Sequence, residues 1–124
     1  MSDQSTTVAE LRERMRQFVA ERDWEQFHSP KNLVMGLSCE VAELMEHFLW
    51  MDNETSRRVL DDPANREPIA DELADVTLYI LCLCNTLGLD LSECVAAKLI
   101  KTGKKYPVER IKGRYKLDQD VNIG

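Results

Sequence analysis

A chain of 124 residues has room for one domain with a real hydrophobic core and is too short for two ordinary ones. With 44% hydrophobic and 31% charged residues it belongs with the soluble globular class, and its longest greasy run, residues 76–83, is far below membrane length. The net charge of −6 disfavours long nucleic acid, which is held by neutralising many phosphates, yet the charge is uneven: residues 1–97 carry 8 basic and 19 acidic residues, residues 98–124 carry 8 and 3.

The N-terminal Met-Ser-Asp-Gln-Ser-Thr-Thr offers neither a basic start nor an apolar core, so the expected location is the cytoplasm. Val8, Leu11, Met15, Phe18 and Val19 recur at three- and four-residue steps and predict an amphipathic helix ending near Arg22. Residues 23–29 break that period and gather Trp24, Phe27 and His28 in a short connector. Two readings stand: the aromatics staple the first helix to the core, or they offer a flat ligand a stacking surface worth roughly 1–3 kcal/mol.

Ser29-Pro30 is a helix start, with a hydroxyl cap and a proline where no N–H is needed. A central helix is expected from Pro30 to about Met51, carrying Lys31 and Asn32 in its first turn and Trp50 near its end. After a polar stretch, Asp61-Asp62-Pro63 marks a second start, with Pro68 expected to kink the first turns or to delay the regular helix to about Arg66. That helix runs to Leu87, where Gly88 stops it. Past Asp75 it is apolar on every side, more than one thin core can cover, so part of it is expected to meet another subunit. Asp90-Leu-Ser-Glu93 resembles a capping box opening a fourth helix that Gly103 should end. Lys104-Lys-Tyr-Pro107 then forms a basic aromatic turn, and residues 109–124 should be loosely held. No strand-period alternation and no internal repeat is present, so the expectation is one all-α domain over residues 1–124, a compact four-helix bundle with an ordered core of about 6–108. Cys39, Cys82, Cys84 and Cys94 lie in helical patterns without Cys-x-x-Cys spacing, and are expected to be small packed hydrophobes.

Two acidic signatures organise the chain, Glu40-Val-Ala-Glu43 and Glu72-Leu-Ala-Asp75. Residues three apart share a helix face, so each signature presents two carboxylates, and two such helices packed face to face would bring four together. Four negative charges in a partly desolvated space require a cation, and oxygen-only ligands suit Mg2+ or Mn2+ better than zinc or copper. A solvated acidic face is the competing reading. A di-iron carboxylate bundle asks for Glu-x-x-His on two helices, which is missing here. A metal here and the basic C-terminal segment could together neutralise a small phosphorylated ligand. The alternative function is a non-catalytic helical oligomerisation or interaction module.

Phe18-Val-Ala-Glu-Arg-Asp-Trp-Glu-Gln-Phe-His28, Pro30-Lys-Asn32, Glu40-x-x-Glu43, Trp50, Glu72-x-x-Asp75 and Lys105-Tyr-Pro107 together resemble the MazG-like all-α nucleotide pyrophosphohydrolases, most closely their dCTP-hydrolysing branch. The likeness runs from about residue 11 to 108. It implies Mg2+-dependent hydrolysis of a (deoxy)nucleoside triphosphate to the monophosphate and pyrophosphate, a nucleotide-pool housecleaning activity. By motif position, Glu40, Glu43, Glu72 and Asp75 would be the metal ligands, with Glu43 and Glu72 catalytic and Glu43 the favoured base. Trp24, His28 and Trp50 would shape the base pocket with Tyr79 nearby, and Lys31, Asn32, Lys98, Thr102, Lys105 and Tyr106 would meet phosphate or sugar. Homodimers or dimers of dimers with shared sites are implied as well. The chain departs from the pattern at Thr102, where Asn is frequent, and at Met15, where the dCTP-hydrolysing branch has His. A thioether cannot make a ring nitrogen's hydrogen bonds, so Met15 bears on base preference rather than on reaction type.

Overall fold

Thr7 starts the first helix: its hydroxyl accepts the Glu10 N–H at 3.1 Å while Glu10 Oε2 accepts the Thr7 N–H at 2.6 Å, a reciprocal cap. Helix α1 then spans Val8–Glu21 in the computed structural model, which describes residues 1–115. Two hydrogen bonds close it, Trp24 N–H to Val19 O and Asp23 N–H to Ala20 O, both 3.1 Å. Asp23 sits between them at φ 53°, a left-handed position that aspartate tolerates better than most side chains. This turn, followed by the 3-10 segment Glu25–Phe27, builds the aromatic connector.

Helix α2 spans Pro30–Glu46, capped by Ser29 Oγ accepting the Asn32 N–H at 3.2 Å. It stops five residues short of the expected Met51. Its last turn tightens, with His47 N–H to Leu44 O and Phe48 N–H to Met45 O, and Asp52 then caps a separate short helix, α3, Asn53–Arg57. Helix α4, Arg66–Leu87, begins where Pro68 falls in the first turn and loses no hydrogen bond, and it ends at Gly88 with φ 68°. Helix α5, Leu91–Lys105, is capped by Asp90, whose carboxylate accepts the Glu93 N–H at 2.9 Å. Gly103 lies inside α5 instead of ending it. The Tyr106 N–H still bonds Thr102 O at 2.9 Å, and it is Pro107, which has no N–H and forces Tyr106 out of helical geometry, that stops the helix. A four-residue helix, α6, Val108–Ile111, occupies the start of the segment expected to be loose; residues 116–124 of that segment lie outside the described residues.

The chain divides into a unit of Met1–Leu89 and a second that begins at Asp90. Of the four main helices, α1, α2 and α4 form the first unit and α5 leads the second. Within the first unit α1 and α2 both pack on α4. Helices α2 and α4 run antiparallel: Leu33 joins Cys82 in the core, Gly36 meets Tyr79, and Glu40 and Glu43 meet Glu72. The core is small, with Val19, Leu33 and Cys82 buried and Met15, Tyr79 and Leu83 packed on them. Arg12 and Asn85 clamp α1 to α4 through Arg12 Nε to Asn85 Oδ1 and Asn85 Nδ2 to Arg12 O, both 3.0 Å. Cys82 and Cys84 are buried as expected, but Cys39 and Cys94 are exposed, because a helical pattern fixes the spacing of a residue and not which face of the helix is covered. Among the described residues no single helix is long and apolar enough to cross a membrane.

Leu33 is only 1% exposed and sits at the centre of this core. Leu33→Ala should therefore destabilise the protein by about 2–5 kcal/mol, read as a lowered urea midpoint at unchanged slope.

Candidate active site

One carboxylate oxygen from each of Glu40, Glu43 and Glu72 lies within 4.8 Å of the others. The antiparallel crossing of α2 and α4 produces this meeting, because each helix turns its acidic pair toward the same layer. Glu40 Oε2 and Glu72 Oε2 are buried and have no hydrogen-bond partner. None of the ion pairs among the described residues, Arg16–Glu13, Arg22–Glu21 and Arg57–Glu54, involves these side chains. The electrostatic result is that burial, then the neighbouring Glu43 carboxylate, pushes Glu40 up from 4.5 to about 7. Glu72 is raised for the same reasons in the same order. Two orphaned oxygens in an all-carboxylate set fit a hard divalent cation. Asp75 lies outside this tight group of three, and its charge raises both Glu40 and Glu72.

Tyr79, one turn after Asp75, lies against the backbone of α2 at Gly36. A Cβ at Gly36 would come within 2.5 Å of Cε1, 2.7 Å of Cζ and 2.8 Å of the phenol oxygen. Burial first and the Glu40 charge next raise the Tyr79 phenol, which keeps its proton as a hydrogen-bond donor.

The connector's aromatics pack locally against α1. Trp24 packs edge-on against Phe18 at 5.8 Å, and the Arg22 guanidinium lies 3.5 Å over the Phe18 ring, so the aromatics hold the connector to the end of α1, not to the buried core. Trp24 also stands 6.5 Å from the His28 ring, and Phe27 is exposed. His28 lines a cavity of about 400 Å³ with Arg12, Arg16, Val19, Glu25, Cys82, Asn85 and Thr86. Asn32 serves the scaffold, since its amide donates to Phe27 O at 3.1 Å and ties the connector to α2. Lys31 is exposed in the first turn of α2. Trp50 lies beyond the end of α2 and is 92% exposed. On α5, Lys98, Thr102 and Lys105 follow at four- and three-residue steps on one face, with Lys105 Nζ 5.4 Å from the Tyr106 ring. Met15 is a core side chain, half-buried against Val19, Leu33 and Cys82.

Sequence reasoning passed over Gly36, Arg12 and Asn85. A glycine inside a long helix and an amide inside an apolar run were the available signals, since each is locally unfavourable without a tertiary reason.

Glu40 binds its proton more tightly folded than unfolded, so the folded chain carries more protons between the two pKa values. Stability of the metal-free protein should fall as pH rises from 4.5 through about 7. Melting at about pH 5 and about pH 8 checks this, and Glu40→Gln should flatten the difference by removing the charge.

Residues 36–120 match the MazG-like family. The chain is 36% identical to dCTP pyrophosphatase 1 of Bos taurus over 107 residues, which cover 86% of this chain and 63% of that protein. Against dCTP pyrophosphatase 1 of Homo sapiens the figures are 37% over 101 residues, 82% and 59%. The chain thus spans somewhat less than two thirds of the length of these relatives. A crystal structure of a pyrophosphatase from Archaeoglobus fulgidus superposes with a TM-score of 0.76 at 34% identity, covering 86% of this chain and 98% of that one. A matching family segment, relatives above 30% identity and a shared all-α fold agree: the chain belongs to the MazG-like family.

Proposed function

We propose that the chain hydrolyses a nucleoside triphosphate between its α and β phosphates, releasing the monophosphate and pyrophosphate. The observation that carries this reading is the pair of buried, unpartnered oxygens of Glu40 and Glu72 held together by α2 and α4. Glu40, Glu43, Glu72 and Asp75 would hold Mg2+, with Mn2+ a substitute. The bound ion supplies Lewis-acid polarisation of the phosphoryl oxygen and neutralises charge on the departing pyrophosphate.

The chain's own residues divide the remaining work. Glu40 and Glu72, half-buried and with their carboxyls raised by burial and by Glu43, would serve as the anionic anchors of a bound cation. Glu43 is the exposed member of the three, and so the one placed to take a proton from an attacking water. The Tyr79 phenol stays protonated beside Glu40 and can donate to an oxygen of the substrate. Trp24 and His28, fixed by the turn at Asp23 and by Asn32, give the base a stacking edge; Lys31 is available to phosphate. The relatives' names make dCTP or a related deoxynucleotide the first substrate to assay.

Incubation with dCTP and Mg2+ should yield dCMP and pyrophosphate, and stepwise release of orthophosphate would sink the reading. Glu43→Ala and Asp75→Ala should each lower turnover by at least ~100-fold with helix content unchanged by circular dichroism.

The reading includes a homo-oligomer, a dimer or dimer of dimers, in which Lys98, Thr102, Lys105 and Tyr106 meet a triphosphate held on a neighbouring subunit's carboxylates. Two apolar surfaces support it. Leu73, Leu78 and Leu87 of α4 remain exposed, and Val41, Leu44, Met45, Phe48, Ile69 and Leu73 line an open groove. Leu78→Lys should dissociate the assembly by light scattering and lower activity with it. An active wild-type monomer at assay concentration would refute the shared site.

A further inference from the structure

The antiparallel ladder of α2 and α4 has three successive layers: the apolar pair Leu33 and Cys82, the pair Gly36 and Tyr79, and the carboxylates Glu40, Glu43 and Glu72. Gly36 is one helical turn before Glu40, and Tyr79 one turn after Asp75, so the middle layer is the immediate neighbour of the charged one on both helices. In that layer the ring occupies the volume a side chain at Gly36 would fill. Ordinary carbon contacts lie at about 3.5–4.0 Å, and an alanine methyl here would stand 2.5 Å from Cε1 and 2.7 Å from Cζ. Two ring carbons and the hydroxyl oxygen are affected together, and a phenol ring cannot fold out of the way as a lysine tail can.

We infer that Gly36 is a positioning residue for the metal centre: by admitting the Tyr79 ring against the α2 backbone, it sets the gap across which Glu40 and Glu43 face Glu72. The inference rests on the carboxylates being the metal site and adds to that reading the element that fixes their spacing. Glycine inside α2 carries a helix-propensity cost that nothing else at this position offsets. The two effects have opposite signs. Intrinsic propensity alone makes Gly36→Ala stabilising, whereas the steric fit with Tyr79 makes it disruptive, so the background decides the outcome.

The test is a double-mutant cycle read by Mn2+ titration of the nucleotide-free protein, followed by water-proton relaxation, with thermal melting alongside. Gly36→Ala in the wild-type background should weaken Mn2+ binding about 10- to 100-fold, the range seen when a group supporting metal ligands is disturbed. The same loss should appear in a Tyr79→Phe background, because phenylalanine keeps the two carbons that the methyl would strike. Tyr79→Ala should weaken Mn2+ binding by itself. Adding Gly36→Ala to it should cost no further affinity and should raise the melting temperature, since only the propensity effect is left. The spacer role is overturned if Gly36→Ala leaves Mn2+ affinity unchanged, or costs as much in the Tyr79→Ala background as in the wild type. A wild-type protein that binds no Mn2+ overturns the metal reading and the inference with it, whereas normal Mn2+ binding by Gly36→Ala overturns the inference alone.

Discussion

The packing of α2 against α4 is the contact on which the rest of this structure depends. It buries the apolar layer at Leu33 and Cys82 and, in the same register, presses Glu40 and Glu43 toward Glu72. A one-turn slip along either helix would set a carboxylate in the Gly36–Tyr79 layer or leave the charged faces apart. Burial of the core therefore fixes the site, and desolvation first, then the neighbouring Glu43, raises Glu40 and Glu72 above ordinary carboxylates. A divalent cation held by these carboxylates would relieve the charge crowding, which would link its binding to fold stability.

Around this contact the other elements act as supports. The Arg12 and Asn85 clamp holds α1 on α4, and the turn at Asp23 swings Trp24 back over Phe18. Asn32 then binds the connector to the first turn of α2. A chain of short-range hydrogen bonds thus carries His28 to the rim of the cavity between α1 and α4.

The second unit has its own local logic. Helix α5 is capped at Asp90 and stopped at Pro107, and it is net basic, with Lys98, Lys101, Lys104 and Lys105 against Glu93, where the first unit is net acidic. Its exposed Val95, Leu99 and Ile100, like the groove lined by Met45 and Leu73, are apolar surface of the sort that oligomers cover.

Much of the fold was legible without coordinates, because its signals are local. Ser29-Pro30, Pro68, Gly88 and Asp90 act through hydrogen bonds within a turn, and each lies where sequence chemistry puts it. The spacing of Glu40 with Glu43 and of Glu72 with Asp75 made two acidic faces certain once the helices were. Helix ends decided by competition were less legible: α2 gives way at Glu46 to the cap at Asp52, and α5 passes through Gly103 to stop at Pro107. What only the tertiary structure decided was which carboxylate oxygens meet, that two of them have no partner, and that Gly36 is the socket for Tyr79. Those are properties of helix register and of the volume between two surfaces, and neither is carried by the periodicity of one helix alone.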